Sequence, residues 1–252
     1  MNHVVFCDFD GTVTAKDTID AMYDAFGPED WPAIATELYD QGLRSRQIIK
    51  TMLGKLHCTR EQIVKLLQTL PIRDGFVEFH RFCRDNDYEL ILMSEGVGLS
   101  VETVLHERGI DDLRYFGNVL VRDDEGRWTT ENPHLHPDCH DCGNCKSAHI
   151  IERKKRGDAV VYIGDGPTDR CPAQVTDILF ATNYLADFCT RTGMPFVRFG
   201  TFHDVIKEMS KEDFLPRWDA EARRDLQRKT TLPNPELHAE NAEGRNPYDK
   251  GR

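Results

Sequence analysis

No apolar run in the 252-residue chain approaches the roughly 18–20 residues that cross a bilayer, so a membrane-spanning protein is not expected. The opening Met1-Asn2-His3 lacks a basic segment and a small-residue cleavage site, so no secretory leader is expected either. Basic residues are in the minority. Lys and Arg number 32 against 43 Asp and Glu, a formal net charge of −11. Phosphate backbones are bound by clustered Lys and Arg, so nucleic acid is not the expected partner. Internal repeats are absent as well. What remains suits a soluble, cytoplasmic protein: 39% hydrophobic residues can fill a core, which excludes wholesale disorder.

Eight cysteines are present, unevenly spaced. Cys7, Cys58, Cys83, Cys171 and Cys189 are scattered, as expected of reduced thiols acting as small apolar residues. Cys139, Cys142 and Cys145 instead form one C-x-x-C-x-x-C run.

Short continuous apolar runs recur at Val4–Cys7, Leu90–Met93, Val160–Ile163 and Ile178–Phe180, separated by helical patterns. Such strands, alternating with helices, predict an α/β fold, a parallel sheet with helices on both faces. Between Asp17 and about Thr69 there is no strand signal. Ile63, Leu66, Leu67 and Leu70 fall at helical spacing, Ile48 to Leu56 mark a second helix, and Trp31 to Tyr39 a third. These predict a small helical cap inserted after the first strand. Phe76, Phe79 and Cys83 mark a helix leading back into the sheet. Tyr115–Val121 and Arg127–Thr129, around Asp123-Asp124-Glu125-Gly126, read as a hairpin. The expected division is a core of 1–14 and 74–212, a cap of 15–73 and a C-terminal extension of 213–252, disordered from about 229.

Four motifs fall at strand ends or just beyond, where open α/β sheets bind ligands. In Asp8-Phe9-Asp10-Gly11-Thr12, carboxylates at i and i+2 leave the strand on one side. One can act as a nucleophile and the other can give a proton to a leaving group. Met93-Ser94-Glu95-Gly96 follows an apolar strand and offers a hydroxyl and loop amides to phosphate oxygens. Gly96 and Gly98 partly imitate a dinucleotide fingerprint, but Val101 stands where the third glycine belongs. Lys146 opens a helix, a position the macrodipole disfavours, which invites a functional reason. Gly164-Asp165-Gly166-Pro167-Thr168-Asp169 supplies carboxylates, hard oxygen ligands that suit Mg²⁺.

As an ordered set, these motifs resemble the haloacid dehalogenase superfamily over roughly residues 3 to 210. The resemblance implies a Rossmann-like core with a helical cap and a phosphoryl-transfer site. Asp8 matches the nucleophile that forms an aspartyl-phosphate, and Asp10 the general acid/base. Asp8, the Asp10 backbone carbonyl and Asp165 match Mg²⁺ ligands, with Asp169 in support. Ser94, with Glu95 and Gly96, and Lys146 match the groups that hold the phosphoryl. The expected partner is a small phosphorylated metabolite.

The helical insert is similar to the cap of the phosphoserine-phosphatase-like branch. Asp17 stands where that branch has Glu, and Met52 where it has a cap Arg, which both count against phosphoserine. The chain is more similar to the group acting on 2-hydroxy-3-keto-5-methylthiopentenyl-1-phosphate in methionine salvage. Met52 would then touch an uncharged thioether arm, or be simple core. Glu95 departs from the glycine expected in that group. Other readings are a phosphotransferase, or a catalytically silent metal-sensing protein on the same fold. The cysteine run has three readings: structural Zn²⁺ on Cys139, Cys142, Cys145 and His136, a redox-sensitive loop able to shift Lys146, or reduced thiols without a special role.

Overall fold

The computed structural model describes residues 1–224 together with Leu232 and Pro233. The expectation of disorder from about residue 229 therefore falls almost wholly outside the described residues.

Seven strands form one sheet in the order β4-β3-β2-β1-β5-β6-β7. The four predicted apolar runs lie in β1 (His3–Asp8), β2 (Glu89–Val97), β5 (Ala159–Gly164) and β6 (Ile178–Ala181). They pair in parallel, Asp8 opposite Met93 on one side and Cys7 opposite Ile163 on the other. On β1, Val5 and Cys7 enter one apolar cluster while Val4 and Phe6 enter another. Alternate side chains of one strand are thus buried on opposite faces, which is why the run is apolar without a break. The first face is covered by α5 (Phe76–Asp85), α6 (Gly98–His106), α10 (Phe202–Met209) and α11 (Phe214–Arg223). The second is covered by α7 (Lys146–Lys155), α8 (Arg170–Val175) and α9 (Asn183–Thr192). Phe214 and Trp218 of α11 are wholly buried, so this start of the C-terminal extension belongs to the packed core. Its edge against β1 includes the His3 ring, 4.7 Å from that of Trp218.

Three features depart from the sequence reading. β2 runs on to Val97, so Ser94, Glu95 and Gly96 lie inside the strand, across an irregularity in its pairing with β3, and not in a loop beyond it. β3 (Arg114–Arg122) pairs parallel to β2 as well as antiparallel to β4 (Trp128–Glu131), so the expected hairpin forms the margin of the main sheet. Its turn is closed by the Asp123 carboxylate, which accepts the amides of Glu125 and Arg127. The two-residue strand β7 (Val197–Arg198) is too short to leave a sequence signal.

Four helices lie between β1 and α5: α1 (Thr18–Phe26), α2 (Trp31–Asp40), α3 (Ser45–Leu53) and α4 (Arg60–Gln68). An isolated antiparallel bridge joins Thr14 to Ile72 at the neck of this insert. The sheet margin supports it. Trp128 of β4 donates its indole N–H to Cys58 O at 3.0 Å, and the Arg122 guanidinium lies 3.7 Å from the centre of the Trp128 ring. Met52, Leu53, Ile63 and Leu67 are fully buried among these helices. A methionine packed so completely is a filling residue of the insert's interior. Met52→Ala should therefore cost about 2–5 kcal/mol in urea unfolding, and Met52→Leu less than about 1.5 kcal/mol. A loss below about 0.5 kcal/mol for the alanine variant, the range of surface substitutions, would contradict that placement.

Candidate active site

The chain leaves β1, builds outward through β2 and β3, then returns to add β5 on the other side of β1. This reversal of strand order opens a crevice at the carboxyl ends of β1 and β5. Asp8 ends β1, and Asp165 follows β5 directly. Among the described residues, Asp8, Asp165 and Asp169 present carboxylate oxygens within 4.8 Å of one another.

Lys146 closes the group. Its Nζ lies 2.5 Å from Asp8 Oδ1 and 2.7 Å from Asp169 Oδ1, and it also donates to Thr168 Oγ1 at 3.2 Å. The lysine is the first residue of α7, so the helix start carries it to this point. Burial opposes its charge, but the carboxylates of Asp169 and Asp8 outweigh that and push its pKa well above the ordinary lysine value. Asp8 is pushed well above the usual carboxylate range by burial and by the Asp169 charge, with Lys146 opposing. Asp165 is pushed up to about 6 by burial and by Asp169.

Asp169 is wholly buried and fully engaged. Its Oδ2 accepts the amides of Asp165 and Gly166, both at 2.9 Å, and its Oδ1 accepts the Tyr162 hydroxyl at 2.5 Å. It thereby shapes the loop that presents Asp165. Gly164 permits this close approach, since a Cβ there would stand 2.6 Å from Asp169 Oδ2. Gly11 has φ +84°, and a Cβ on it would stand 2.8 Å from Asp165 Oδ2. Both glycines are needed for space beside carboxylates, and Gly11 also for its left-handed backbone.

Asp10 is held apart from this group. Its Oδ1 accepts the Thr18 amide at 3.1 Å and the Thr18 hydroxyl at 2.5 Å, while its Oδ2 accepts the Ser94 hydroxyl at 2.6 Å. Ser94 is fully buried, and its Oγ accepts the Gly96 amide at 2.9 Å. The structure thus places the expected phosphate-binding serine against the second carboxylate. Glu95 is also turned elsewhere. Its carboxylate accepts the amides of Gly143 at 2.6 Å and Asn144 at 3.2 Å. Burial pushes its pKa up to about 8 against the pull of those amides.

A cavity of about 480 Å³ opens from Asp8 and Asp10 toward the insert. Its far wall is apolar, with Ile19, Tyr23, Tyr39, Ile48 and Ile49, and Asp17, Asp20 and Asp141 also line it. Asp17 caps α1, accepting the amides of Ile19 and Asp20. Met52 is not among the lining residues. The reading of Met52 as a substrate contact is therefore corrected, and Ile48 and Ile49 of the same helix form the wall in its place.

Several contributors were missed from sequence. Thr12 Oγ1 bridges Asp8 at 3.2 Å and Asp165 at 2.8 Å, and Asn183, at φ +46°, donates to Asp165 Oδ2 at 3.2 Å. Arg73 binds the carbonyls of Gly11, Thr12 and Gly200 and so fixes the turn after β1. Thr12 sits inside the quoted motif and could have been assigned, whereas Arg73 and Asn183 have no local signal.

The carboxylates fit a hard divalent cation such as Mg²⁺: they converge, they are oxygen donors, and Asp165 is destabilised as an anion without further positive charge. The zinc reading gains no such support. Cys139, Cys142 and Cys145 are buried together with Ala148 and Leu232 packed against them. Neither they nor His136 form a group of three donor atoms within 4.8 Å among the described residues. Cys139 is held well below the ordinary thiol range by the Cys142 and Cys145 thiols and by backbone amides.

Residues 3–195 match the model of the family described as "Putative Phosphatase". The chain is 31% identical over 207 residues to a 2-hydroxy-3-keto-5-methylthiopentenyl-1-phosphate phosphatase of Brevibacillus brevis, a match covering 81% of this chain and 93% of the relative. It is 32% identical over 221 residues to the protein of that name from Bacillus mycoides, covering 83% and 96%. A solved phosphoserine phosphatase, a phospho-aspartyl intermediate analogue, superposes with a TM-score of 0.61 at 19% identity, covering 82% of this chain and 98% of that one. That likeness is one of fold.

The Glu95 carboxyl supplies a pH test. Its folded pKa of about 8 lies above the ordinary 4.5, so the folded protein holds this proton more tightly than the unfolded chain does. The resulting stability is present in full below about 4.5 and is lost as pH rises through about 8. Wild type should lose a few kcal/mol of unfolding free energy relative to Glu95→Gln between those limits, at 1.36 kcal/mol per pKa unit. A difference between the two proteins that stays flat with pH would show that Glu95 does not titrate there.

Proposed function

The chain belongs to the family described as "Putative Phosphatase", and on that premise we propose that it hydrolyses a small cytoplasmic phosphomonoester through a phosphorylated Asp8. The observation that carries this reading is the pairing of two carboxylates with different surroundings. Asp8 sits against Lys146 in the oxygen-rich group, and Asp10 stands apart on the hydroxyls of Thr18 and Ser94. Two carboxylates so separated can divide nucleophile and acid/base work. A binding protein would have no use for that division, which argues against the silent metal-sensing alternative.

In the first step an Asp8 carboxylate oxygen forms a bond to phosphorus as the ester P–O bond breaks. Asp10 gives a proton to the departing oxygen, sparing an alkoxide. In the second step water attacks phosphorus, Asp10 takes its proton, and the bond to Asp8 breaks to release phosphate and free carboxylate. Lys146 supplies positive charge beside Asp8 throughout, where low dielectric makes it effective. Thr18 and Ser94 keep Asp10 oriented between the two steps, and Thr12 keeps Asp8 and Asp165 in register. Asp8 and Asp165, with Asp169 behind them, would hold Mg²⁺, which supplies further charge neutralisation on phosphoryl oxygens when bound.

For the substrate we propose 2-hydroxy-3-keto-5-methylthiopentenyl-1-phosphate, the compound in the names of the relatives. The cavity supports an uncharged arm. Ile19, Tyr23, Tyr39, Ile48 and Ile49 can cover a methylthio group. Asp17 and Asp20 would repel the carboxylate of phosphoserine. Of the two cations lining the cavity, Lys16 lies 2.6 Å from Asp24 and Arg170 Nε donates to Pro167 O.

With Mg²⁺ and p-nitrophenyl phosphate, Asp8→Asn should lower kcat at least 10³-fold while leaving the fold intact by circular dichroism, since the amide is a poor nucleophile. Turnover unchanged by that substitution would refute the mechanism. In a panel of phosphorylated metabolites, kcat/KM for the methylthio compound should exceed that for phosphoserine at least 10²-fold. The reverse order would refute the substrate.

A further inference from the structure

The segment from Cys139 to Cys145 connects the catalytic lysine to the helical insert. On its inner side Gly143 and Asn144 are tied to Glu95, and Asn144 Nδ2 also donates to the carbonyls of Ser94 and Phe116, both at 3.0 Å. Lys146 follows directly. On its other side Asp141 reaches the start of α3. Its Oδ1 accepts the Ser45 amide at 3.0 Å, and its backbone carbonyl accepts the Arg46 amide at 3.0 Å. These are the first two amides of the helix, which have no partner within it. The preceding residue, Arg44, has no side-chain acceptor for them, although its own amide donates to Gln47 Oε1 at 3.0 Å. The helix is thus capped from the core, 96 positions away in sequence. Ser45, Ile48 and Ile49 of α3 line the cavity, as does Asp141.

We propose that Asp141 is the clasp between core and insert, a positioning residue that sets the substrate-facing wall of α3 through that helix's first two amides. This rests on reading the cavity as the substrate site, and it deepens that reading. Asp141 acts through the helix and not by its charge on the substrate. Two substitutions separate these. Asn caps helices about as well as Asp but carries no charge. Ser45→Pro removes the donating amide at the first helical position, where proline is well tolerated, after an Arg44 already extended at φ −109° and ψ 169°. It also removes the Ser45 hydroxyl, 3.5 Å from Glu95 Oε1, so Ser45→Ala, which removes only the hydroxyl, is its control and should leave KM and exchange unchanged.

The test combines hydrogen exchange with kinetics on the full chain. In Asp141→Ala, amides of residues 45–49 should exchange at least tenfold faster while those of β1 and β5 stay unchanged. KM for p-nitrophenyl phosphate should rise about tenfold with kcat within about threefold, the size of one lost capping bond. Asp141→Asn should restore both to within about threefold. Ser45→Pro should raise KM comparably, and the double variant Asp141→Ala/Ser45→Pro should be no worse than either alone. Should Asp141→Ala fail to fold, the comparison of Asp141→Asn with Ser45→Pro still decides. Unchanged exchange at 46–49 in Ser45→Pro overturns the clasp, as does a KM for Asp141→Asn that rises tenfold while exchange is unaltered. The exchange measurement does not depend on turnover, so it separates a failed clasp from a failed phosphatase reading, and Asp8→Asn should keep wild-type exchange at 45–49.

Discussion

The site depends on one buried cation between two buried carboxylates. Lys146 Nζ lies between Asp8 and Asp169, and all three side chains are at most 5% exposed. Removing one partner from such a set leaves uncompensated charge in low dielectric, a loss of several kcal/mol. The remaining geometry supports this arrangement. Asp169 has a single orientation because Tyr162 and two amides fix it. Lys146 has a single origin because α7 starts where Glu95 anchors the preceding segment. In a chain of net charge −11, the two carboxylates nearest Lys146 are thereby paired with a buried cation.

Strand order explains why these groups meet. Asp8 lies at the centre of the sheet with β2 on one side and β5 on the other. Ser94 on β2 stands across from the carboxylates that follow β5, so Asp10 turns toward the first and Asp8 toward the second. A reordering of the sheet would leave the same motifs in the sequence and no site. The helices that cover its two faces carry Lys146 from one side, while the insert rises from the turn that Arg73 holds.

Much of the centre was legible in the sequence because it is written locally. Apolar strands ending in Asp-x-Asp-Gly-Thr and Gly-Asp-Gly-x-Thr-Asp mark where chain leaves a buried sheet, and a lysine at a helix start is electrostatically conspicuous. Residues whose partner is chosen by topology were not legible. Arg73 serves Gly11, 62 positions away, and a lone arginine before a helix carries no sign of that. Ser94 and Glu95 were readable as residues of interest but not in their place within β2, because an unbroken strand with a local irregularity looks the same in sequence as a strand that ends. Of the two readings of Met52, burial selects core: spacing puts it on the same helix as Ile48 and Ile49, but only packing decides which side of that helix faces the cavity.

The cysteine run shows how a conspicuous motif can mislead about its own purpose. Spacing drew attention to the sulfurs, yet the residues between them make the connections: Asp141 to the insert, Gly143 and Asn144 to Glu95. The three thiols are buried together, with Ala148 and Leu232 packed against them. A segment that must offer backbone amides on one side and a carboxylate on another needs small residues that bury without competing for those partners. Cys142 and Cys145 meet that need as compact side chains that bury readily, while Cys139 accepts from both thiols and from the Asp141 and Cys142 amides. Gly143 meets it more sharply still, since a Cβ there would stand 2.7 Å from the Asn132 amide nitrogen. The glycine lets the segment pass close to Asn132 and to Asn118 of β3 while its amides reach Glu95 of β2, and Lys146, which follows directly, is brought to Asp8.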